Sequence, residues 1–269
     1  MRELERNAAD TSRPTPAAAG PTARVGIVGA GRVGHALASG LRCSGYAVDG
    51  PAGRGQVPAG DALILCVPDS EIEAAAEAVA GAASFVGHTS GATPLTALEP
   101  AARAGAETFG LHPLQTIAGP ETQLRGAGCG VAGSSPRALA LARELAAALG
   151  MEPFELRDEQ RAAYPAAASI ASNFLLTLEG TAESVAGGAG IGPEQARRLL
   201  GPLVLATVRN WLALGPEAAL TGPVARGDDE TVARQREAVA RSAPDALELF
   251  DALVERTRAL AGRPEEVPA

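Results

Sequence analysis

The chain has 269 residues and a formal net charge of −8, with 46% hydrophobic but only 3% aromatic residues. This composition supports a core built from alanine, valine and leucine, and the acidic balance argues against a nucleic-acid surface, which needs a basic face. None of the 23 basic residues is a lysine, which excludes lysine-dependent mechanisms, and no apolar run approaches the ~18 residues of a membrane span.

Residues 1–22 mix Arg, Glu, Pro, Thr and Ala without periodicity. They lack the apolar central region of a signal peptide, so we predict a disordered leader. The three cysteines, Cys43, Cys66 and Cys129, lie far apart and without metal-ligand spacing. We interpret them as small buried residues of a cytoplasmic protein, and we predict no metal site.

The segment RVGIVGAGRVGHALASGL, residues 24–41, predicts a strand, a glycine-rich turn and a helix in succession. In the GxGxxG spacing, Gly29 permits the tight turn, Gly31 lets backbone approach a pyrophosphate, and Gly34 lets helix and strand pack closely. The free N–H groups and the positive dipole end of the helix form an anion site. The sequence therefore predicts a dinucleotide site with contacts from Gly29, Ala30, Gly31, Arg32, Val33 and Gly34.

A second strand is predicted at residues 46–49, and the loop GPAGRGQVPAG follows at residues 50–60. In this pattern the loop passes the adenosine ribose, where an acid suits the 2′-hydroxyl of NAD and an arginine suits the 2′-phosphate of NADP. Asp49 falls within the strand, whereas Arg54 lies in the loop beyond it. Arg54 therefore favours NADP over NAD, and the alternative is that it is a solvated loop charge.

Alternating strands and helices continue to residue 156, which indicates a doubly wound parallel sheet. Val67 and Pro68, at the carboxyl end of an apolar strand, are expected over the cofactor crevice. The further strands are predicted at residues 61–68, 84–91, 107–115, 128–132 and 153–156, with helices at 71–80, 94–104 and 136–149.

From Asp158 onward the pattern is helical throughout, and Pro165 is expected to kink or divide the first helix. The helices are rich in alanine and leucine, which predicts a homodimer through this half. The four helical stretches are residues 159–186, 193–214, 228–241 and 244–261. The predicted fold class is α/β, with a Rossmann dinucleotide-binding domain at residues 23–157 and an all-helical substrate and dimerisation domain at residues 158–269.

The chain has three histidines. His35 lies in the first helix and is interpreted as a partly exposed helix residue. His88 and His112 each follow an apolar strand, so we expect each at the sheet edge where ligands bind in open α/β folds. Either one could instead order its loop, and the sequence leaves open which of them would be a proton donor.

Small and polar residues accompany these two histidines. Ser90 offers a hydroxyl, and Gly91 would let backbone approach a flat nicotinamide ring. His112 could donate a proton to a carbonyl oxygen while hydride arrives from the cofactor, since histidine titrates near neutral pH. Gln115, just beyond the strand, is a candidate for holding the substrate.

The helical half offers two more substrate candidates. Asn173 lies among apolar residues and needs a partner, which is either the substrate or a neighbouring helix. Arg226 could clamp a carboxylate with two parallel hydrogen bonds, or it could belong to a helix-start loop capped by Asp228. Tyr164 and Trp211 are interpreted as packing anchors.

Six segments of the sequence together resemble a known family. The family joins an N-terminal Rossmann-like NADP oxidoreductase domain to a C-terminal domain of unknown function, DUF2520, and the resemblance spans residues 24–260. Its architecture is similar to that of pyrroline-5-carboxylate reductases, 3-hydroxyacid dehydrogenases and ketopantoate reductases, which implies a helical domain that dimerises and closes the site. Arg54 matches the family's arginine after the second strand, which supports NADP. The six segments are VGIVGAGRVG, DALILCVPD, GHTSGA, GLHPLQT, ASNFL and LTGPVARGD.

The sequence departs from these proteins at two positions. Pro165 stands where the family often has a histidine. Ser169 stands one turn before Asn173, where the ketopantoate and 3-hydroxyacid enzymes use a lysine. A mechanism that rests on that lysine cannot be carried over to this chain.

We therefore predict a reductase that uses NADP to reduce the C=O or C=N group of a small oxo acid. The resemblance makes ketopantoate the leading substrate. The expected catalytic residues are His112, Ser90 and Asn173, and the expected substrate contacts come from Gln115, Asn173 and Arg226. The alternatives are a non-catalytic NAD(P)-binding sensor that passes cofactor occupancy to a partner, and a structural dimer with a vestigial glycine turn.

Overall fold

A computed structural model of the chain describes residues 24–262. The chain divides into two compact units, and the division falls between Ala168 and Ser169. The leader predicted at residues 1–22 lies outside the described residues. Between residues 24 and 262, no helix combines the length and the apolar character that a membrane crossing requires.

The first unit is built on a seven-stranded sheet with the strand order β2-β1-β3-β4-β5-β6-β7. The strands are β1 (Arg24–Val28), β2 (Ala47–Ala52), β3 (Ala62–Leu65), β4 (Phe85–His88), β5 (Glu107–Leu114), β6 (Gly128–Gly133) and β7 (Glu152–Glu155). The helices are α1 (Arg32–Cys43), α2 (Ile72–Ala78), α3 (Glu99–Arg103) and α4 (Pro136–Ala148). The predicted α/β class with a Rossmann-type sheet is confirmed.

Helices cover both faces of the sheet, as a doubly wound fold requires. In β3, Ile64 packs in an apolar cluster with residues of α1 and α4. Its neighbours Leu63 and Leu65 face the other way, into a cluster with α2 and α3. All three side chains are fully buried, which explains why the sequence of this strand is continuously apolar instead of alternating.

The sheet departs from the predicted all-parallel arrangement at β6. This strand pairs antiparallel with β5, so that His112 lies opposite Gly130, while β7 runs parallel to β6. Parallel neighbours need a long crossover, usually a helix, but residues 115–127 between β5 and β6 contain none. The chain therefore reverses, and β6 and β7 run against the other five strands.

The second unit is helical throughout its described residues. Helix α5 (Ala163–Ser169) belongs to the first unit except for Ser169, and the chain continues from it through a π-helical turn at Ile170–Phe174. The other helices are α6 (Leu175–Gly188), α7 (Pro193–Leu214), α8 (Pro216–Ala219), α9 (Pro223–Arg226), α10 (Asp229–Ser242) and α11 (Leu247–Leu260).

The helical stretch predicted at residues 159–186 is divided just before Pro165, because a short helical turn at Asp158–Gln160 ends before α5 begins. Helix α5 begins at Ala163, so Pro165 lies in its first turn. An N–H group there would have no partner inside the helix, and a proline is tolerated. A second irregularity of this stretch is the π-helical turn, which contains Asn173.

Candidate active site

The glycine-rich turn after β1 uses two of its three glycines for its own packing. Gly29 has φ +105°, and a Cβ added to it would overlap the carbonyl oxygen of Cys66. A Cβ added to Gly34 would overlap the carbonyl oxygen of Gly29. Any larger residue at either position would force helix α1 away from the strands, so both glycines are needed for the fold itself.

Gly31 is different, because nothing in the fold requires a glycine at this position. Among the described residues, a Cβ added to Gly31 would meet no atom within 4 Å, and Gly31 has extended backbone with φ −81°. Gly31 is the N-cap of α1, where no side chain caps the helix and no acidic residue lies in the first turn. The N–H groups of Arg32 and Val33 therefore keep the open donors and positive dipole end of a helix start. This cradle fits a pyrophosphate.

A cleft of about 310 Å³ lies beside this turn. Gly29, Val67 and Pro68, which the sequence analysis expects at the cofactor crevice, line it together with residues 53–57 and one side of α2. Arg54 also lines the cleft, and its Nη2 lies 3.2 Å from Oε2 of Glu71. The Arg54 side chain is 89% exposed, so the ion pair is weak and the guanidinium is free to exchange partners.

Asp49, the acid that would suit NAD, has another function in the structure. Its Oδ2 accepts a hydrogen bond of 2.8 Å from the Ala59 N–H and lies 3.8 Å from Nη2 of Arg24. The carboxylate thus holds the end of the loop that follows β2. Arg54 is the charged residue of this loop that faces the cleft.

The Ser90 hydroxyl orders the loop that follows β4. Its Oγ accepts hydrogen bonds from the N–H groups of Ala92 (3.2 Å) and Thr93 (2.9 Å), and it lies 2.9 Å from Oγ1 of Thr93. Ser90 is only 6% exposed. The structure therefore places this predicted catalytic and cofactor-binding residue in a capping role.

His88 is also built into this loop. The imidazole is fully buried, and its Nδ1 accepts a hydrogen bond of 3.2 Å from the Ser90 N–H. The proton consequently lies on Nε2, which has no hydrogen-bond partner among the described residues. Burial, reinforced by the charge of Arg161, lowers the pKa of His88 to about 4. His88 is therefore neutral at physiological pH.

The buried imidazole of His88 should make stability fall on acidification. Its pKa is near 4 in the folded chain but 6.5 when exposed, so between these pH values the unfolded chain binds the extra proton. The neutral His88 contributes fully to the unfolding free energy above pH 6.5, and this contribution declines below pH 6.5 and is lost near pH 4. The total loss of unfolding free energy is about 3 kcal/mol. Urea unfolding from pH 7.5 to 4.5 should show a smaller loss in His88→Asn than in wild type. His35→Asn, in exposed helix surface, is the control. Equal pH slopes in all three proteins would contradict this assignment.

Gly91 lets the segments that follow β4 and β5 approach each other. A Cβ added to it would lie 3.0 Å from Cε1 of His112 and 3.1 Å from both ring nitrogens. The flat ring next to the Gly91 backbone is thus an imidazole of the protein itself, where the sequence predicted a nicotinamide. This contact brings the two predicted segments, His88–Gly91 and His112, into one site.

His112 is hydrogen-bonded to Tyr164. The distance from Nδ1 to the tyrosine Oη is 2.7 Å, and the two rings meet edge to face at 5.4 Å. Burial lowers the pKa of His112, with Asp69 opposing and Arg161 assisting, and burial raises the pKa of Tyr164 to about 12. Both groups are neutral near pH 7, so either tautomer leaves one N–H or O–H of the pair free to donate.

The sequence did not identify Tyr164 as part of this pair. Tyr164 was interpreted as a packing anchor, and it does pack edge to face on Phe154 at 5.6 Å. Its hydroxyl reaches His112 only because the chain folds back over β6 after Leu156. Arg161, three residues earlier, is 6% exposed and was also missed. The sequence pattern of this stretch predicts a helix, and that pattern does not indicate that Arg161 is buried.

The remaining predicted substrate contacts are distributed over both units. Gln115 is exposed, with Oε1 accepting from the Thr116 N–H at 2.8 Å and Nε2 donating to the Gln123 carbonyl at 3.4 Å. Asn173 and Arg226 are exposed residues of the second unit. Asp228 caps α10, accepting 3.1 Å from the Thr231 N–H, as its alternative interpretation predicted.

Family and structural comparisons agree with the resemblance seen in the sequence. Residues 127–257 match the family described as "Domain of unknown function (DUF2520)". The match begins just before β6, so the family includes the last two strands of the sheet as well as the helices. No curated protein matches the chain.

Several solved structures share the fold of this chain. A Bacteroides fragilis protein, provisionally named an NADP oxidoreductase, has 20% identity and a TM-score of 0.73, covering 90% of this chain and 98% of its own. A Thermotoga maritima protein has 21% identity and a TM-score of 0.70, covering 88% and 98%. The Plasmodium falciparum pyrroline carboxylate reductase with NADP bound has 11% identity and a TM-score of 0.59, covering 89% and 98%. At these identities the likeness establishes a common fold.

Proposed function

We propose that this protein is an NADP-dependent reductase of C=O or C=N groups. The observation that carries the proposal is the cradle at Gly31, where open N–H donors face outward and the fold itself does not need the glycine. The solved structures that share this fold support the proposal, since they include a pyrroline carboxylate reductase with NADP bound and an Aspergillus terreus reductive aminase with NADPH. When bound, the nicotinamide supplies a hydride.

In this proposal the His112–Tyr164 pair supplies the proton. We assign the Tyr164 hydroxyl as the donor and Nδ1 of His112 as the acceptor across their 2.7 Å contact, an assignment that places the imidazole proton on Nε2. Nε2 makes no hydrogen bond within the described residues and, unlike Nε2 of His88, is not sealed from solvent. Nε2–H donates to the substrate oxygen while Nδ1 takes the tyrosine proton, so the imidazole stays neutral and water restores the tyrosine. A tyrosine with a pKa of about 12 is acidic enough to protonate an alkoxide.

The substrate class is proposed from the same site. Ketopantoate is the leading carbonyl candidate because of the family resemblance, and cyclic or open imines are the rival class. The test follows NADPH oxidation with ketopantoate, other short 2-oxo acids and imines. Turnover with at least one substrate supports the reductase. Tight NADPH binding without turnover across both classes would instead favour a dinucleotide sensor.

Arg54 should set the preference for NADP over NAD. It lines the cleft, is almost fully exposed and has only Glu71 as an ionic partner in the described chain. A guanidinium there can bind the 2′-phosphate with charge-assisted hydrogen bonds. Arg54→Ala should weaken NADPH binding about tenfold to a hundredfold and leave NADH binding unchanged, as measured by fluorescence titration. Equal losses for both nucleotides would contradict the assignment.

We further propose that the second unit forms a homodimer. Large apolar side chains are exposed on α6, α7 and the π-helical turn, a pattern that marks association surfaces. They include Ile170, Phe174, Leu176, Leu199, Leu203, Leu205, Trp211, Leu212 and Leu214. Trp211 is the only tryptophan of the chain and is 53% exposed. Sedimentation at twice the chain mass, with a red shift of tryptophan emission on dilution, would support the dimer, and a monomer at micromolar concentration would contradict it.

A further inference from the structure

Arg161 is a buried charge with few partners. Its side chain is 6% exposed, and its one hydrogen bond within the described residues is from Nε to Oδ1 of Asp158, at 2.7 Å. Nη1 and Nη2 therefore keep four N–H donors without a protein acceptor in the described chain. Among the described residues, Nε2 of His88 is the only side-chain polar atom that is both sealed from solvent and without a hydrogen-bond partner. Nη1 and Nη2 of Arg161 therefore each keep some contact with solvent. Both ends of the guanidinium fork can still be reached.

The chain on both sides of Arg161 is anchored at Gly130, the residue that lies opposite His112 in the sheet. Leu156 donates its N–H to the carbonyl of Val131, at 2.8 Å. A Cβ added to Gly130, opposite His112 in the sheet, would lie 3.3 Å from Leu156 Cδ2 and 3.6 Å from Tyr164 Oη. In the sequence, Arg161 lies between Leu156 and Tyr164, the two residues that contact Gly130. The connecting turn is closed by Gln160, whose Oε1 accepts 3.0 Å from the Arg157 N–H.

The acidic residues near Arg161 are exposed to solvent, so they compensate its buried positive charge only weakly. Asp158, its partner, has a side chain that is 66% exposed, so solvent screens much of that pair. Asp69, the other acid that acts on both histidines, is exposed as well. The positive charge of Arg161 lowers the pKa of both His88 and His112. A buried charge with so little compensation is costly unless a further anion binds it.

The geometry points to Arg161 as the residue that binds the carboxylate of an oxo-acid substrate beside His112, an inference that rests on the proposed reductase function. The two Nη groups match the two oxygens of a carboxylate. A carboxylate held there would place the adjacent carbonyl within reach of the proton-donating pair. Arg161 would thereby select anionic carbonyl compounds over neutral ones. The sequence analysis expects Gln115 and Arg226 to bind the substrate instead.

The test compares a carboxylate with its uncharged amide. Full-length wild-type, Arg161→Gln and Arg161→Lys proteins are titrated calorimetrically with 2-oxobutanoate and 2-oxobutanamide in the presence of NADP⁺. We expect wild type to bind the carboxylate about 10 to 100 times more tightly than the amide. Arg161→Gln should lose this preference, and Arg161→Lys should keep part of it. Arg157→Gln, with an exposed arginine of the same turn, is the matched control and should behave as wild type.

Two further measurements separate the outcomes. Thermal unfolding and NADPH titration of each variant show whether it is folded and loaded, and if Arg161→Gln unfolds, the comparison rests on Arg161→Lys and on the two ligands with wild type. Equal binding of carboxylate and amide by wild type overturns the inference, as does a folded Arg161→Gln that keeps the preference. Failure of the proposed function is different: wild type then gives no heat with NADPH, and the substrate role of Arg161 falls with it.

Discussion

Replacing Gly31 with aspartate should abolish useful NADPH binding without harming the fold. A Cβ added at this position meets no atom of residues 24–262 within 4 Å, so we expect the apo protein to accept a side chain there. The new carboxylate would lie at the start of α1, where the proposed pyrophosphate must approach. Two like charges about 5 Å apart repel by about 3 kcal/mol at an effective dielectric constant of about 20. The dissociation constant of NADPH should therefore rise at least about 100-fold.

The same substitution should leave the unfolding free energy unchanged or slightly higher. Gly31 is the N-cap of α1 and no side chain caps this helix, and aspartate at an N-cap exceeds glycine by a few tenths of a kcal/mol. Affinity and stability thus move in opposite directions, which a general loss of folding cannot imitate.

Gly192→Asp is the matched control. Gly192 is the N-cap of α7, also without a side-chain cap and with extended backbone, and an added Cβ would meet no atom within 4 Å in the part of the chain that the structure describes. It should show the same small gain in stability and an unchanged NADPH affinity. Calorimetric titration with NADPH and urea unfolding measure the two quantities. An unaltered affinity in Gly31→Asp would show that the cradle does not bind the pyrophosphate, and the reductase proposal would fail with it.

The sequence predicted the features of this molecule that follow from local periodicity. Continuous apolar runs such as β3, glycines at turn spacing and the change to helix after Asp158 each depend on residues close in the chain, and the structure has them. The reversal at β6 depends instead on an absent helix in residues 115–127. A sequence reading that assigns strands and helices by pattern does not detect what is missing between them.

The candidate site was predicted only in part for the same reason. His112 and the glycine turn have local signals, but the role of a polar side chain depends on partners that are distant in sequence. Ser90 has a hydroxyl at the expected edge, yet the N–H groups of its own loop use it. Tyr164 acquires its role from a hydrogen bond to a residue 52 positions away. Arg161 is buried because the chain folds back after β7, and its burial could not be predicted from the local sequence.

His112→Gln should lower kcat by about 10²- to 10⁴-fold, the usual contribution of a positioned general acid. Glutamine keeps a polar side chain of similar length but cannot pass a proton from one atom to another. NADPH affinity should stay within about twofold of wild type, because His112 is absent from the cleft that the glycine turn borders and no binding energy is removed there. Steady-state kinetics with the best substrate of the panel, together with NADPH titration, measure both quantities. A kcat within threefold of wild type would remove His112 from the mechanism.

Tyr164→Phe tests whether the proton passes through both members of the pair. The neutral imidazole then has no source from which to recover its proton, and kcat should fall at neutral pH. Because the pKa of His112 is lowered from 6.5, acidification below pH 6.5 progressively forms the imidazolium, which can donate unaided. Activity of the variant relative to wild type should therefore recover as the pH falls. Tyr46→Phe is the matched control, since the hydroxyl of the only other tyrosine also makes a 2.7 Å hydrogen bond, to Glu144. If Tyr164 only positioned His112, its loss would lower kcat by the same factor at every pH.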